Sequence, residues 1–113
     1  MLDTVAKRAF ISAGLQHQSV TLPINQYAVF RFCREADEWG VAMCVSSKAY
    51  NREILTKALQ KRFAEPLLYD GYYLCMDSEK RLLIWHPIKD IQDEPMVEES
   101  LELMAALVDI PFA

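Results

Sequence analysis

This chain predicts an α+β domain: an antiparallel sheet of about four to five strands flanked by three helices, in the order α-β-β-α-β-β-α, with room for an extra edge strand near 19–22. Three observations lead there. Residues 67–86, LLYDGYYLCMDSEKRLLIWH, are two apolar runs joined by the polar tetrad Asp77-Ser78-Glu79-Lys80, which is a hairpin pattern. Residues 26–34 and 38–46 repeat that pattern around a polar tip, Glu35-Ala36-Asp37. Residues 2–13, 48–63 and 93–109 instead carry apolar side chains at three- and four-residue steps, the period of a helix with one buried face. Strand pairs alternating with such helices build an α+β fold with an antiparallel sheet.

The first helix places Leu2, Val5, Ala6, Ala9, Phe10 and Ala13 on one stripe, with Asp3, Lys7 and Arg8 opposite. Gly14 follows as a left-handed stop, because it has no Cβ. Residues 15–25 connect, and Pro23 excludes a central strand there while leaving Ser19–Leu22 as a short edge strand. In the first hairpin Ala28, Phe30 and Phe32 share one face, and Tyr27, Val29, Arg31 and Cys33 the other. Both faces are partly apolar, which predicts cover on both, one side from the core and the other from something else. In the middle helix Tyr50, Ile54, Leu55, Ala58, Leu59 and Phe63 form a broad face, with Ser47 or Asn51 as cap and Glu53–Lys57 as an i, i+4 pair. Asp70-Gly71 predicts a turn or bulge early in the second hairpin, and His86-Pro87 closes it. Tyr72 and Tyr73, adjacent on a strand, point to opposite faces. Asp93 caps the last helix, Glu94, Glu98 and Glu99 suit its N-terminal half, and Val97, Leu101, Met104, Ala105 and Val108 form its stripe.

Composition narrows the function classes. The 113 residues make a single domain, 1–113, large enough for one core without staples. A 52% hydrophobic content argues against disorder, and an apolar excess in so small a domain reads first as a larger core and second as exposed sticky surface. The net charge of −4 is the wrong sign for phosphate neutralisation, so no nucleic-acid partner is expected, and Lys57, Lys61 and Arg62 read as a solvated helix face. No apolar run approaches the ~18 residues of a membrane span, and the N-terminus lacks the apolar core of a signal peptide. Cys33, Cys44 and Cys75 form no CxxC pair and lie in apolar runs, as buried free thiols of a reducing, cytoplasmic compartment would.

Catalytic chemistry has little to build on, and no enzyme activity, cofactor or metal is expected. His17 and His86 show no metal spacing. Gly14, Gly40 and Gly71 are too few and too scattered for a phosphate loop. Asp90, Asp93 and Glu94, like Glu98, Glu99 and Glu102, read as a helix N-terminus and a solvated face. A cysteine meeting His86 in space stays open as a nucleophile–base pair, which requires a lowered thiol pKa. Met96, Met104, Tyr69, Tyr72 and Tyr73 read as core or interface.

The layout resembles the small acidic class I chaperones of bacterial type III secretion. The shared features are the short helix ending Ala13-Gly14-Leu15, the aromatic hairpin, the middle helix 48–63, the hairpin LLYDGYYLCMDSEKRLLIWHPI and the acidic-fronted last helix. A mass of 13.0 kDa and a pI near 5.1 also fit. The likeness spans the chain but matches no signature motif, and the stretch 15–47 is short for the three strands the family places before its middle helix. The resemblance implies a bacterial cytoplasmic homodimer that holds the extended N-terminal segment of a secreted effector or secretion-apparatus protein, without ATP. Carried residue by residue, it implies Tyr50, Ile54, Leu55, Ala58 and Leu59 at the dimer contact, and Leu2, Val5, Phe10, Phe30 and Phe32 on the client surface. A small dimeric adaptor or scaffold subunit of a cytosolic assembly shares the layout and is the competing reading.

Overall fold

The structure, a computed structural model, describes residues 4–48, 52–88 and 93–110. Its elements run α1 (Thr4–Leu15), β1 (Val20–Pro23), β2 (Ala28–Glu35), β3 (Glu38–Val45), α2 (Arg52–Ala64), β4 (Tyr73–Met76), β5 (Leu82–Pro87) and α3 (Glu94–Leu107). The strands form one five-stranded antiparallel sheet in the order β1-β2-β3-β5-β4. The expected α+β class and element order are both present, and the extra edge strand is β1.

Register follows from local chemistry. Ala36 and Asp37, at φ 49° and 66°, make the two-residue tip of the β2–β3 hairpin, where positive φ at both positions matches the twist of the strands. The Asn25 carboxamide accepts from the backbone N–H groups of Tyr27 and Ala28 at 2.7 and 3.0 Å, turning the chain from β1 into β2. Asp77 does the same between β4 and β5, accepting from the N–H groups of Glu79 and Arg81 at 2.9 Å each and from Arg81 Nε at 2.6 Å. These bonds, led by the Arg81 backbone N–H, hold the Asp77 carboxyl below the usual carboxylate range.

Alternation then sorts the faces. Leu22, Ala28, Phe30, Phe32, Val41, Met43, Val45, Leu82 and Ile84 point to one side and meet Phe10 and Ile11 of α1, Ala58 of α2, and Val97, Leu101, Met104 and Ala105 of α3. The Phe10 ring lies 4.7 Å from Phe32 and 6.4 Å from Phe30 between centroids. Lys7 of α1 pairs with Glu98 of α3 at 2.7 Å, clamping the two helices over the sheet. Tyr72 is buried and Tyr73 half exposed, so the two adjacent tyrosines do point apart.

Both ends of α3 are built. The Asp93 carboxylate accepts from Met96 N–H at 3.0 Å, as expected of a cap. At the other end Asp109 takes φ 56° while its N–H and that of Ile110 reach the carbonyls of Ala106 and Ala105.

Three local expectations are corrected. Gly14 does not stop α1; it lies within the helix, and its missing side chain admits the Phe32 ring, 2.3 Å from where a Cβ would stand. The left-handed residue is His17, at φ 58°, whose N–H and that of Gln18 reach the carbonyls of Gly14 and Ala13. The first half of the second hairpin is not all strand, since Leu67–Gly71 is a turn and only Tyr73–Met76 pairs with β5. Gly71 sits at φ 83°, as its place beside Asp70 predicted. The thiols are not uniformly buried either: Cys44 is, Cys33 is half-buried and Cys75 exposed.

Candidate functional site

Among the described residues, two apolar surfaces are left uncovered by the helices. The first joins α2 to the edge strand β4. Leu59 and Phe63, one turn apart on α2, point outward with Leu67 beyond the helix end; Phe63 is 90% and Leu67 93% exposed. A groove of about 230 Å³ between Leu59, Arg62, Tyr73 and Leu74 connects this helix to β4, on which Tyr73 and Met76 are half exposed. Helix α2 is held in place by its basic residues. Lys61 Nζ reaches the Ala106 carbonyl at 2.7 Å and Asp109 at 2.5 Å, and Arg62 Nε donates to the Tyr72 carbonyl at 2.8 Å. Lys57 pairs with Glu53 at 3.1 Å. Lys61 and Arg62, expected on a solvated face, thus tie α2 to the end of α3 and to the turn before β4, while Lys57 stays on the exposed face as expected.

The second surface is the sheet face opposite the helices. One row across it reads Thr21, Arg31, Ala42, Trp85, Tyr73, and the next reads Pro23, Val29, Cys44, Leu83, Cys75. Ala42 and Cys44 are buried, yet neither belongs to the core cluster under the helices; their small side chains are hidden by taller neighbours on the same face. The Trp85 indole lies across Gly40, whose Cβ would stand 2.7 Å from the ring. A shallow concavity of about 270 Å³ results, lined by Arg31, Glu35, Ala42, Tyr73, Cys75, Leu83 and Trp85.

The residues expected at functional contacts divide. Phe10, Phe30 and Phe32 are sealed in the core, the last two at 0% exposure, so no client reaches them in this packing. Ala58 is likewise in the core, and Ile54 and Leu55 lie half-buried against it, so the middle-helix stripe faces inward over most of its length. Leu59 is half exposed and Val5 74% exposed, both on the surface. Leu2, Tyr50 and the alternative cap Asn51 lie outside the described residues. Tyr73, expected to face away from Tyr72, lies on the surface by strand alternation, whereas the exposed Leu67 and Met76 follow no apolar stripe of the sequence. Phe63 was on the predicted stripe but at its outer margin.

The histidines serve packing. His17 stacks on Trp39 at 4.9 Å, and the Trp39 indole N–H donates to the Gly14 carbonyl at 3.0 Å. His86 stacks on Tyr72 at 4.1 Å with Nδ1 2.9 Å from the Gly71 carbonyl, and burial pushes its pKa down. Burial pushes all three thiols up, which lowers their thiolate fraction at neutral pH, against the need of a nucleophilic cysteine. Among the described residues no group of three or more His, Cys, Asp or Glu could hold a metal ion, and no helix is long and apolar enough to cross a membrane.

No protein-family model, curated protein or solved structure matches this chain.

Proposed function

We propose that the chain is a binding module of the chaperone type: a bacterial cytoplasmic homodimer that holds an extended segment of a secreted effector or secretion-apparatus protein, without catalysis. The observation that carries this reading is the uncovered apolar strip from Leu59 and Phe63 through Leu67 to the edge strand β4. Phe63 and Leu67 are too exposed to stabilise the monomer, and large apolar side chains grouped at a surface beside an edge strand mark interaction sites. The order of three strands before α2 and two after supports the reading as a likeness of layout alone. Three strands fit the short stretch 15–47 because β1 has four residues and the β2–β3 tip only two.

Magnitudes say what the strip can do. Burying Phe63 and Leu67 from each of two copies contributes roughly 6–12 kcal/mol. Rigid association costs roughly 4–15 kcal/mol. The two large side chains therefore bring a dimer to the margin, and Leu59, Tyr73, Met76 and the free backbone groups of β4 decide it. At the opposite edge β1 also presents unpaired ladder groups, to which an extended client segment adds as a further strand.

Native mass of the chain, alone and co-expressed with the proteins encoded beside it, tests the reading. Twice the 13.0 kDa chain mass, with capture of a neighbour's N-terminal segment, is the expected result. A monomer that captures nothing would overturn it. A permanent complex with an assembly component that never releases its partner identifies the adaptor reading instead.

A further inference from the structure

We propose that the concavity on the helix-free sheet face docks an amphipathic helix that carries one carboxylate within its apolar stripe, and that Arg31 receives this carboxylate. This rests on the chain being a protein-binding module and names the chemistry of what it binds.

Arg31 is the reason. It stands at the rim of the concavity, in the row with Ala42, Trp85 and Tyr73, and its Nε is buried with no hydrogen-bond partner among the described residues. A guanidinium on an apolar sheet face with an unsatisfied buried donor is costly unless an acceptor arrives. Of the polar groups around it, the Cys33 sulfur bonds the guanidinium, but Nε is left unmet. Cys33, two residues on, is only a weak sulfur acceptor, and its thiol donates to Glu35 at 3.9 Å. Glu35 lines the same concavity, but no ion pair joins it to Arg31. Apart from Glu35, the site therefore presents a positive centre among Ala42, Tyr73, Cys75, Leu83 and Trp85, in a chain whose net charge is −4.

Shape selects a helix. From β2 to β4 across β3 and β5 is three strand spacings, roughly 14 Å. A helix with its side chains is about 10–12 Å across and satisfies its own backbone. An extended chain lying on a sheet face finds no ladder there, and its peptide groups would be desolvated without partners. Leu83, Trp85 and the methyl of Ala42 form the floor for the apolar stripe, with Arg31 on one rim and Tyr73 and Cys75 on the other.

The test uses the full chain and two fluorescein-labelled helical peptides of fourteen or so residues, with identical leucine stripes and either Glu or Gln at the stripe's centre. Fluorescence anisotropy gives affinity, and protection of Cys75 from maleimide shows where the peptide sits. The expected result is Cys75 protection by both peptides, with the Glu peptide bound about tenfold more tightly. Arg31→Gln should abolish that preference, Arg31→Lys should retain part of it, and Glu35→Gln should strengthen Glu-peptide binding. Fluorescence of the buried Trp39 checks that each variant folds. Equal binding of Glu and Gln peptides, or a preference that survives Arg31→Gln, overturns the role of Arg31. Absence of binding, or binding that leaves Cys75 reactive, overturns the docking face while leaving the strip on α2 and β4, and the homodimer read from it, standing.

Discussion

At the scale of single residues, the chain uses side chains where glycine and simple capping were expected. His17, Asp109, Ala36, Asp37 and Lys80 all take positive φ, and only one glycine does. Gly14 is instead required by space, since the Phe32 ring occupies the place of its side chain. Gly14→Ala should overpack this contact and lower stability by about 1–3 kcal/mol, read as a fall in denaturant midpoint at unchanged slope. His86 carries a pH dependence. Burial lowers its folded pKa below the ordinary value, so the unfolded chain binds the proton more readily. Its contribution is present above about pH 6.5 and is lost as pH falls from there through the lower folded pKa. Melting temperature recorded from pH 8 to pH 5 should therefore drop at the acidic end, and His86→Gln should flatten that part of the curve. A slope identical in the two proteins would assign the acid sensitivity elsewhere.

At the scale of elements, α2 separates what periodicity shows from what it hides. Ile54, Leu55 and Ala58 recur at helical spacing, and that face meets the core as an amphipathic stripe should. The dimer contact implied for the same residues is an exposed role, and Ala58 at 0% exposure has no surface to offer. Ile54→Asp is accordingly expected to destabilise the folded monomer by placing a charge against apolar neighbours, visible as an early unfolding transition. Phe63→Ser should shift the unfolding midpoint by no more than about 0.5 kcal/mol, because its side chain contacts little, while reducing any self-association. If Ile54→Asp unfolds like the parent chain and loses only its partner, the inward assignment of this face is wrong.

At the scale of the whole molecule, the helices occupy one side of the sheet and leave the other to its own side chains. The strip on α2 and β4 runs through Leu59, Phe63, Leu67 and Tyr73, none of them charged. Association through it is therefore expected to persist or tighten as salt rises from about 0.05 to 0.5 M, since screening weakens charge pairs and not apolar burial. Sedimentation at several salt concentrations measures this; dissociation at high salt would place the contact on charged groups instead.

The sequence by itself determined the class of fold, the hairpin tips, the Asp93 cap and the inner faces of β2 and α3, because these depend on periods of two and 3.6 residues and on local hydrogen bonds. Much of the candidate surface was not legible. Apolar Phe30 and apolar Trp85 look alike in one dimension, yet one lies under α1 and the other on the bare face. Only the tertiary structure decided which apolar residues are core and which are surface, because that depends on which side of the sheet the helices cross to, and helix α2 in particular is set there by Lys61 and Arg62 gripping carbonyls far along the chain. Arg31 gained its meaning in the same way: its buried Nε without a partner exists only once β3, β5 and β4 line up beside it.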